Sequence, residues 1–180
     1  MKPKLLILSD LWGFNNTIWV ENYVELLKSD FQITVYDSRK LAGISETNLT
    51  EKKLHSQFIN GGINTAVATL LRLEKKEVTV LAFSIGGTIA WKAALKNLKI
   101  TQLFAVSSTR LRYETEKPNC SIQLIFAEKD AFTPNNDWFK KLNLESELIK
   151  NGAHEIYKNE TLTTRFCNRI KTLNNKQNLL

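Results

Sequence analysis

Cysteine and histidine are scarce in this chain, with two of each among 180 residues. Cys120 and Cys167 permit one disulfide at most and no disulfide framework, so both read as free thiols that behave as small hydrophobes. No C-x-x-C or H-x-x-x-H spacing occurs, and no protein-bound metal is expected. The absence of a G-x-G-x-x-G run or a P-loop weakens a nucleotide-binding or flavodoxin-like reading. The longest apolar run near the N-terminus, Leu5-Leu6-Ile7-Leu8, ends at Ser9-Asp10. It is too short for a membrane span or a secretory leader, so a cytoplasmic protein with no membrane partner is expected. Internal repeats and Pro/Ser-rich linkers are also missing, which predicts one domain over residues 1–173 and a frayed tail over 174–180.

Positive charge is in excess, at a formal +7, but it is scattered: Lys2, Lys28, Lys52, Lys75, Lys96, Lys117, Lys140 and Lys171 span the whole length. Nucleic-acid binding requires a clustered patch, and none stands out, so no nucleic-acid partner is expected. Long-range steering of anionic substrates is the milder consequence.

Strand-length apolar runs alternate with helix-period stretches. Strands are predicted at Lys4–Ser9, Phe31–Tyr36, Glu77–Phe83, Ile100–Val106, Ser121–Ala127 and Glu145–Lys150. Helical spacing appears at Trp19, Tyr23, Leu26 and Leu27, with Asn15 or Asn16 as cap. It returns at Ile59, Ile63, Ala66, Leu70 and Leu73, then from Ser84 to about Asn97, from Pro134 to Leu142, and at Leu162, Phe166, Ile170 and Leu173. Gly61-Gly62 lies inside the second of these helices and weakens it. A polar loop with Gly43, Ser45 and Asn48 is expected before it. The alternation predicts an α/β fold: about six mostly parallel strands, with helices on both faces.

In such sheets, chemistry gathers where the strands end. Ala82-Phe83-Ser84-Ile85-Gly86-Gly87 follows the third strand and has the small-x-Ser-x-Gly form of a nucleophile elbow. The tight strand-to-helix turn brings neighbouring backbone close, which is why small residues flank Ser84 at two positions. It also leaves the amide of Ile85 free to donate to an oxyanion. Asp130 follows the fifth strand and His154 follows the sixth. The chain order Ser, Asp, His is the one used by the α/β-hydrolase fold. His55, among Lys52, Lys53 and Ser56, lies away from any predicted strand end. Ser84, Asp130 and His154 are therefore the candidate catalytic triad, with Leu11 and Ile85 as candidate oxyanion donors and Trp12 next in line to Leu11.

These segments resemble the dienelactone hydrolase branch of the α/β hydrolases. The resemblance rests on Asp10-Leu11-Trp12-Gly13-Phe14-Asn15, Ser84-Ile85-Gly86-Gly87, Ala127-Glu128-Lys129-Asp130-Ala131-Phe132-Thr133-Pro134 and Gly152-Ala153-His154, and it spans Leu5 to about Phe166. It implies substrate-binding positions at Asp10, Trp12, Phe14 and Lys158. The namesake enzymes have a cysteine nucleophile where this chain has Ser84, and typically a glutamate where it has Asp10. They have an arginine after the histidine, and Lys158 is its nearest counterpart. A small-molecule ester or thioester substrate fits these departures better than a dienelactone. No cofactor is required. The connection Ser107–Cys120 is too short for a helical cap, which predicts a lidless, shallow, open site. A non-catalytic binding protein on the same fold is the rival class, and the sequence leaves a homodimer open.

Overall fold

Lys4–Leu8 form strand β1, and its side chains alternate between two hydrophobic cores: Leu6 and Leu8 enter one, Leu5 and Ile7 the other. The computed structural model describes residues 2–14, 18–45 and 50–177. Strands β2 (Gln32–Tyr36), β3 (Val78–Phe83), β4 (Ile100–Val106), β5 (Ser121–Ala127) and β6 (Ser146–Ile149) complete one sheet of order β2-β1-β3-β4-β5-β6. Every neighbouring pair is parallel. Strand β3 is buried along its whole length, as its unbroken apolar sequence requires of a central parallel strand.

Helices α1 (Ile18–Leu27) and α7 (Glu160–Gln177) cover one face through Val20, Tyr23, Leu27, Phe166 and Ile170. The opposite face is covered by α2 (Ser38–Leu41), α3 (Glu51–Gln57), α4 (Ile63–Leu73), α5 (Ile85–Leu95) and α6 (Asn136–Leu142). No helix among the described residues is long and apolar enough to cross a membrane.

The strands fall where the apolar runs place them, and the differences lie in the helices. Asn15, Asn16 and Asn48 lie outside the described residues. Gly43 and Ser45 lie in a turn and loop, but α2 precedes them, capped by Asp37, whose side chain accepts from the amides of Arg39 and Lys40. Helix α3 follows, capped by Thr50. Gly61 does not sit inside a helix. At φ 125° it breaks the backbone within a π-type turn, Phe58–Gly62, that separates α3 from α4. Helix α6 is opened by Asn135, whose side chain accepts from Trp138 N at 2.9 Å, and Pro134 stands before the cap. Helix α5 ends at Leu95, two residues before Asn97. Helix α7 runs past Leu173 to Gln177, with Asn174 buried.

Between β3 and α5 the chain turns within one residue. A Cβ on Gly86 would lie 2.5 Å from the carbonyl oxygen of Ser9 and 3.0 Å from Leu8, so the start of α5 rests directly on the end of β1. Gly86→Ala is expected to cost about 1–3 kcal/mol of unfolding free energy, the usual range for overpacking against atoms that cannot move aside. Urea denaturation of the two proteins measures it, and an unchanged midpoint would mean that β1 and α5 separate freely.

Candidate active site

Ser84 is the residue on which β3 becomes α5, and its backbone sits at φ 50°, ψ −117°. That conformation is strained for a residue with a Cβ. It is held by the amide of Ser84 donating to Val106 O on β4 and by the close contact at Gly86. Ser84 Oγ lies 3.0 Å from His154 Nε2, and His154 Nδ1 lies 2.5 Å from Asp130 Oδ2. The structure thus brings together three side chains from the ends of β3, β5 and β6. The second carboxylate oxygen of Asp130 accepts from Phe132 N at 3.1 Å, which fixes the carboxylate plane. Asp130 is buried and His154 is partly open to solvent.

Leu11 and Ile85 both line the cavity beside Ser84. Their backbone N–H groups have no hydrogen-bond acceptor among the described residues. The amide of Trp12, the alternative donor, is already engaged by Asp10 Oδ1 at 3.0 Å.

The remaining candidates fare differently. Asp10 is buried, and both its oxygens are committed: one to Trp12 N, the other to the Tyr157 hydroxyl at 3.0 Å. It shapes the loop carrying Leu11 and Trp12 rather than offering a free carboxylate to a ligand. Trp12 lines the cavity with its side chain partly exposed. Phe14 does not. It borders a separate surface groove of about 270 Å³ with Val20, Val24 and Val35. Lys158 is also absent from the cavity lining; its ammonium lies 2.5 Å from Glu155 and 3.8 Å from Asp10. A neighbouring carboxylate within reach captured the lysine that a linear reading directs toward substrate.

The cavity beside Ser84 is large enough for a small molecule. It measures about 940 Å³, and α3 walls it through Thr50, Glu51, Lys52 and His55. The connection Ser107–Cys120 holds only the short 3₁₀ turn Thr109–Tyr113 and no α-helix; that turn lines the cavity through Thr109, Arg110 and Arg112, and α3 supplies a second wall. His55 therefore lines the same cavity as His154. Burial first, then the charge of Arg110, holds its proton affinity below the ordinary histidine value. No local pattern around His55 signals this position, because the long connection alone carries it over the strand ends.

Tyr157 is the residue that the sequence motifs missed. Its hydroxyl donates to Asp10, its carbonyl accepts from the Tyr23 hydroxyl at 2.9 Å, and its ring packs on Phe83 and Trp19 and stands edge-on to His154. An aromatic residue among Glu155, Lys158 and Asn159, three positions after the candidate histidine, was the available signal. Among the described residues, no group of three or more histidine, cysteine, aspartate or glutamate side chains is placed to hold a metal ion.

The fold is that of an α/β hydrolase. Solved structures agree. Mouse alpha/beta hydrolase domain-containing protein 10 superposes with a TM-score of 0.70 at 14% identity, over 98% of this chain and 91% of that one. A dienelactone hydrolase-like promiscuous phosphotriesterase from metagenomic libraries gives 0.62 at 15%, over 96% and 85%. Est1E of Butyrivibrio proteoclasticus with bound ferulic acid gives 0.60 at 13%, over 93% and 87%. No curated protein sequence matches the chain. The model of the dienelactone hydrolase family matches residues 2–160, and the chain belongs to that family.

Burial raises the Asp10 carboxyl above its ordinary value, while the Tyr157 hydroxyl, Lys158 and the Trp12 amide act in the opposite direction. A carboxyl raised by folding loses stability for the fold as pH climbs from its unfolded value through its folded one. Tyr157→Phe removes a donor to the ionised form and raises Asp10 further. The variant should be less stable by about 1–3 kcal/mol at about pH 8 and the deficit should shrink toward about pH 5. Urea titrations at the two pH values test this, and equal deficits at both would mean that Asp10 stays in one protonation state.

Proposed function

We propose that the protein is a serine hydrolase that cleaves a carboxylic ester or thioester of a small substrate through an acyl-enzyme. The observation that carries this reading is the continuous Ser84–His154–Asp130 hydrogen-bonded chain ending on a strained elbow serine. Ser84 Oγ attacks the carbonyl carbon as His154 Nε2 takes its proton. Asp130 holds the imidazole so that Nε2 faces Ser84 and stabilises the cation that forms. The amides of Leu11 and Ile85 receive the negative charge that develops on the carbonyl oxygen. His154 then protonates the leaving alcohol or thiol as the tetrahedral adduct collapses. Water, deprotonated by His154, releases the acid and restores Ser84.

The cavity falls within the usual range for small-molecule sites. Its lining mixes apolar surface from Leu11, Trp12, Ile85 and Phe132 with charged side chains on α3 and on the turn Thr109–Tyr113. A long acyl tail would have to desolvate those charges. Each methylene adds about 0.8 kcal/mol only where it is buried.

Ser84→Ala and His154→Ala should each lower turnover by at least about a thousandfold with the fold intact. A serine-directed phosphonate should label Ser84 in the wild type. A folded protein that takes no label and turns over no ester would be a binding protein on this fold. Across esters from acetyl to palmitoyl, kcat/KM should rise over the first few carbons and level off before about eight. A rise that continues beyond that length would reveal a deep apolar channel.

A further inference from the structure

The turn Thr109–Tyr113 follows β4, the neighbour of β3, and so stands beside Ser84 at the strand ends. It carries two half-buried arginines into the cavity, Arg110 and Arg112. Neither guanidinium meets a carboxylate among the described residues. Arg112 donates to the carbonyl oxygens of Thr109 and Phe132 and to the Tyr113 hydroxyl, with its guanidinium carbon 4.3 Å from the centre of the Tyr113 ring and 5.3 Å from that of Phe132. Arg110 also lies over the same tyrosine ring, at 5.0 Å, and its guanidinium makes no hydrogen bond among the described residues.

The acidic lining does not answer this charge. Asp130 and Asp10 are committed within the site, and Glu155 is paired with Lys158. Glu51 alone is left against Arg110, Arg112, Lys52 and Lys129, none of which forms an ion pair among the described residues. Half-buried arginines placed over aromatic rings are suited to a carboxylate or phosphate, because their planar fork matches those oxygens and the ring contact limits the orientations they take.

We propose that Arg110, supported by Arg112, is the seat for an anionic group, a carboxylate or a phosphate, carried by the ester substrate. The proposal rests on the serine-hydrolase reading above. It places the recognised charge on the β4–β5 connection rather than at Lys158, whose ammonium is already neutralised by Glu155 and Asp10. Arg110 is the determinant because its donors are free. Arg112 supports it, with its terminal nitrogens already donating to Thr109, Phe132 and Tyr113.

The test uses two esters that differ only in charge, para-nitrophenyl hydrogen adipate and the neutral para-nitrophenyl adipamate. The wild type should favour the charged ester by at least about tenfold in kcat/KM, the scale of one charge-assisted hydrogen bond. In Arg110→Gln that ratio should collapse, chiefly through KM, and Arg110→Lys should recover part of it. Equal handling of both esters by the wild type would overturn the anion seat and leave the serine-hydrolase reading standing, as would an unchanged ratio in Arg110→Gln. If neither ester is turned over, the hydrolase reading fails instead, and binding decides the seat. Free adipate or inorganic phosphate should raise the Tm of Ser84→Ala, and the added Arg110→Gln should remove the shift. The stronger of the two identifies a carboxylated or a phosphorylated substrate. No shift with either would overturn the seat.

Discussion

A serine with a left-handed φ persists only where its surroundings leave no other backbone path, and the rest of this site depends on that constraint. The amide of Ser84 is tied to β4 and the first turn of α5 is pressed onto the end of β1, with room for a hydrogen and nothing larger at Gly86. Three adjacent strands thereby fix one hydroxyl. Their parallel register brings the ends of β1, β3 and β4 to one level, so the Leu11 loop and the turn bearing Arg110 arrive beside that hydroxyl without further adjustment. The strain at Ser84 is held in place by these contacts on a strand buried along its whole length.

The second organising contact lies behind the reacting groups. Asp10 and Tyr157 join the loop after β1 to the loop after β6, two segments far apart in sequence, through one buried hydrogen bond. The Tyr157 ring also touches the histidine and the aromatic cluster of Phe83, Trp19 and Tyr23. Phe83, ahead of Ser84, and Tyr157, after His154, thus pack on each other. The core beneath the site and the geometry within it are one structure.

The strands and the three clustered side chains were legible because each depends on local pattern: apolar runs bounded by polar residues, a small-x-Ser-x-Gly turn, and polar residues directly after strands. Asp10 was legible as a position but not as a role, since its partner Tyr157 lies at the other end of the chain. Lys158 and Phe14 misled for the same reason. Proximity to a motif in sequence does not say which carboxylate captures an ammonium, or on which side of a loop a ring falls. The α3 wall was illegible because a glycine pair read as a weak point in one helix is the joint between two. His55 and the arginines of the β4–β5 connection reach the cavity only through the three-dimensional course of segments with no periodic signature.

The joint at Asn60–Gly61 has a consequence for how such a protein can change. Helix α3 has its own cap at Thr50, and two non-helical residues separate it from α4. The Thr109–Tyr113 turn is likewise a short insertion between strands that pair independently of it. Neither segment contributes to the hydrogen-bonded sheet or to the Ser84–His154–Asp130 chain. The walls of the cavity and the frame that carries Ser84, His154 and Asp130 are thus encoded on separate stretches of chain, so one can diversify over generations while the other is left untouched.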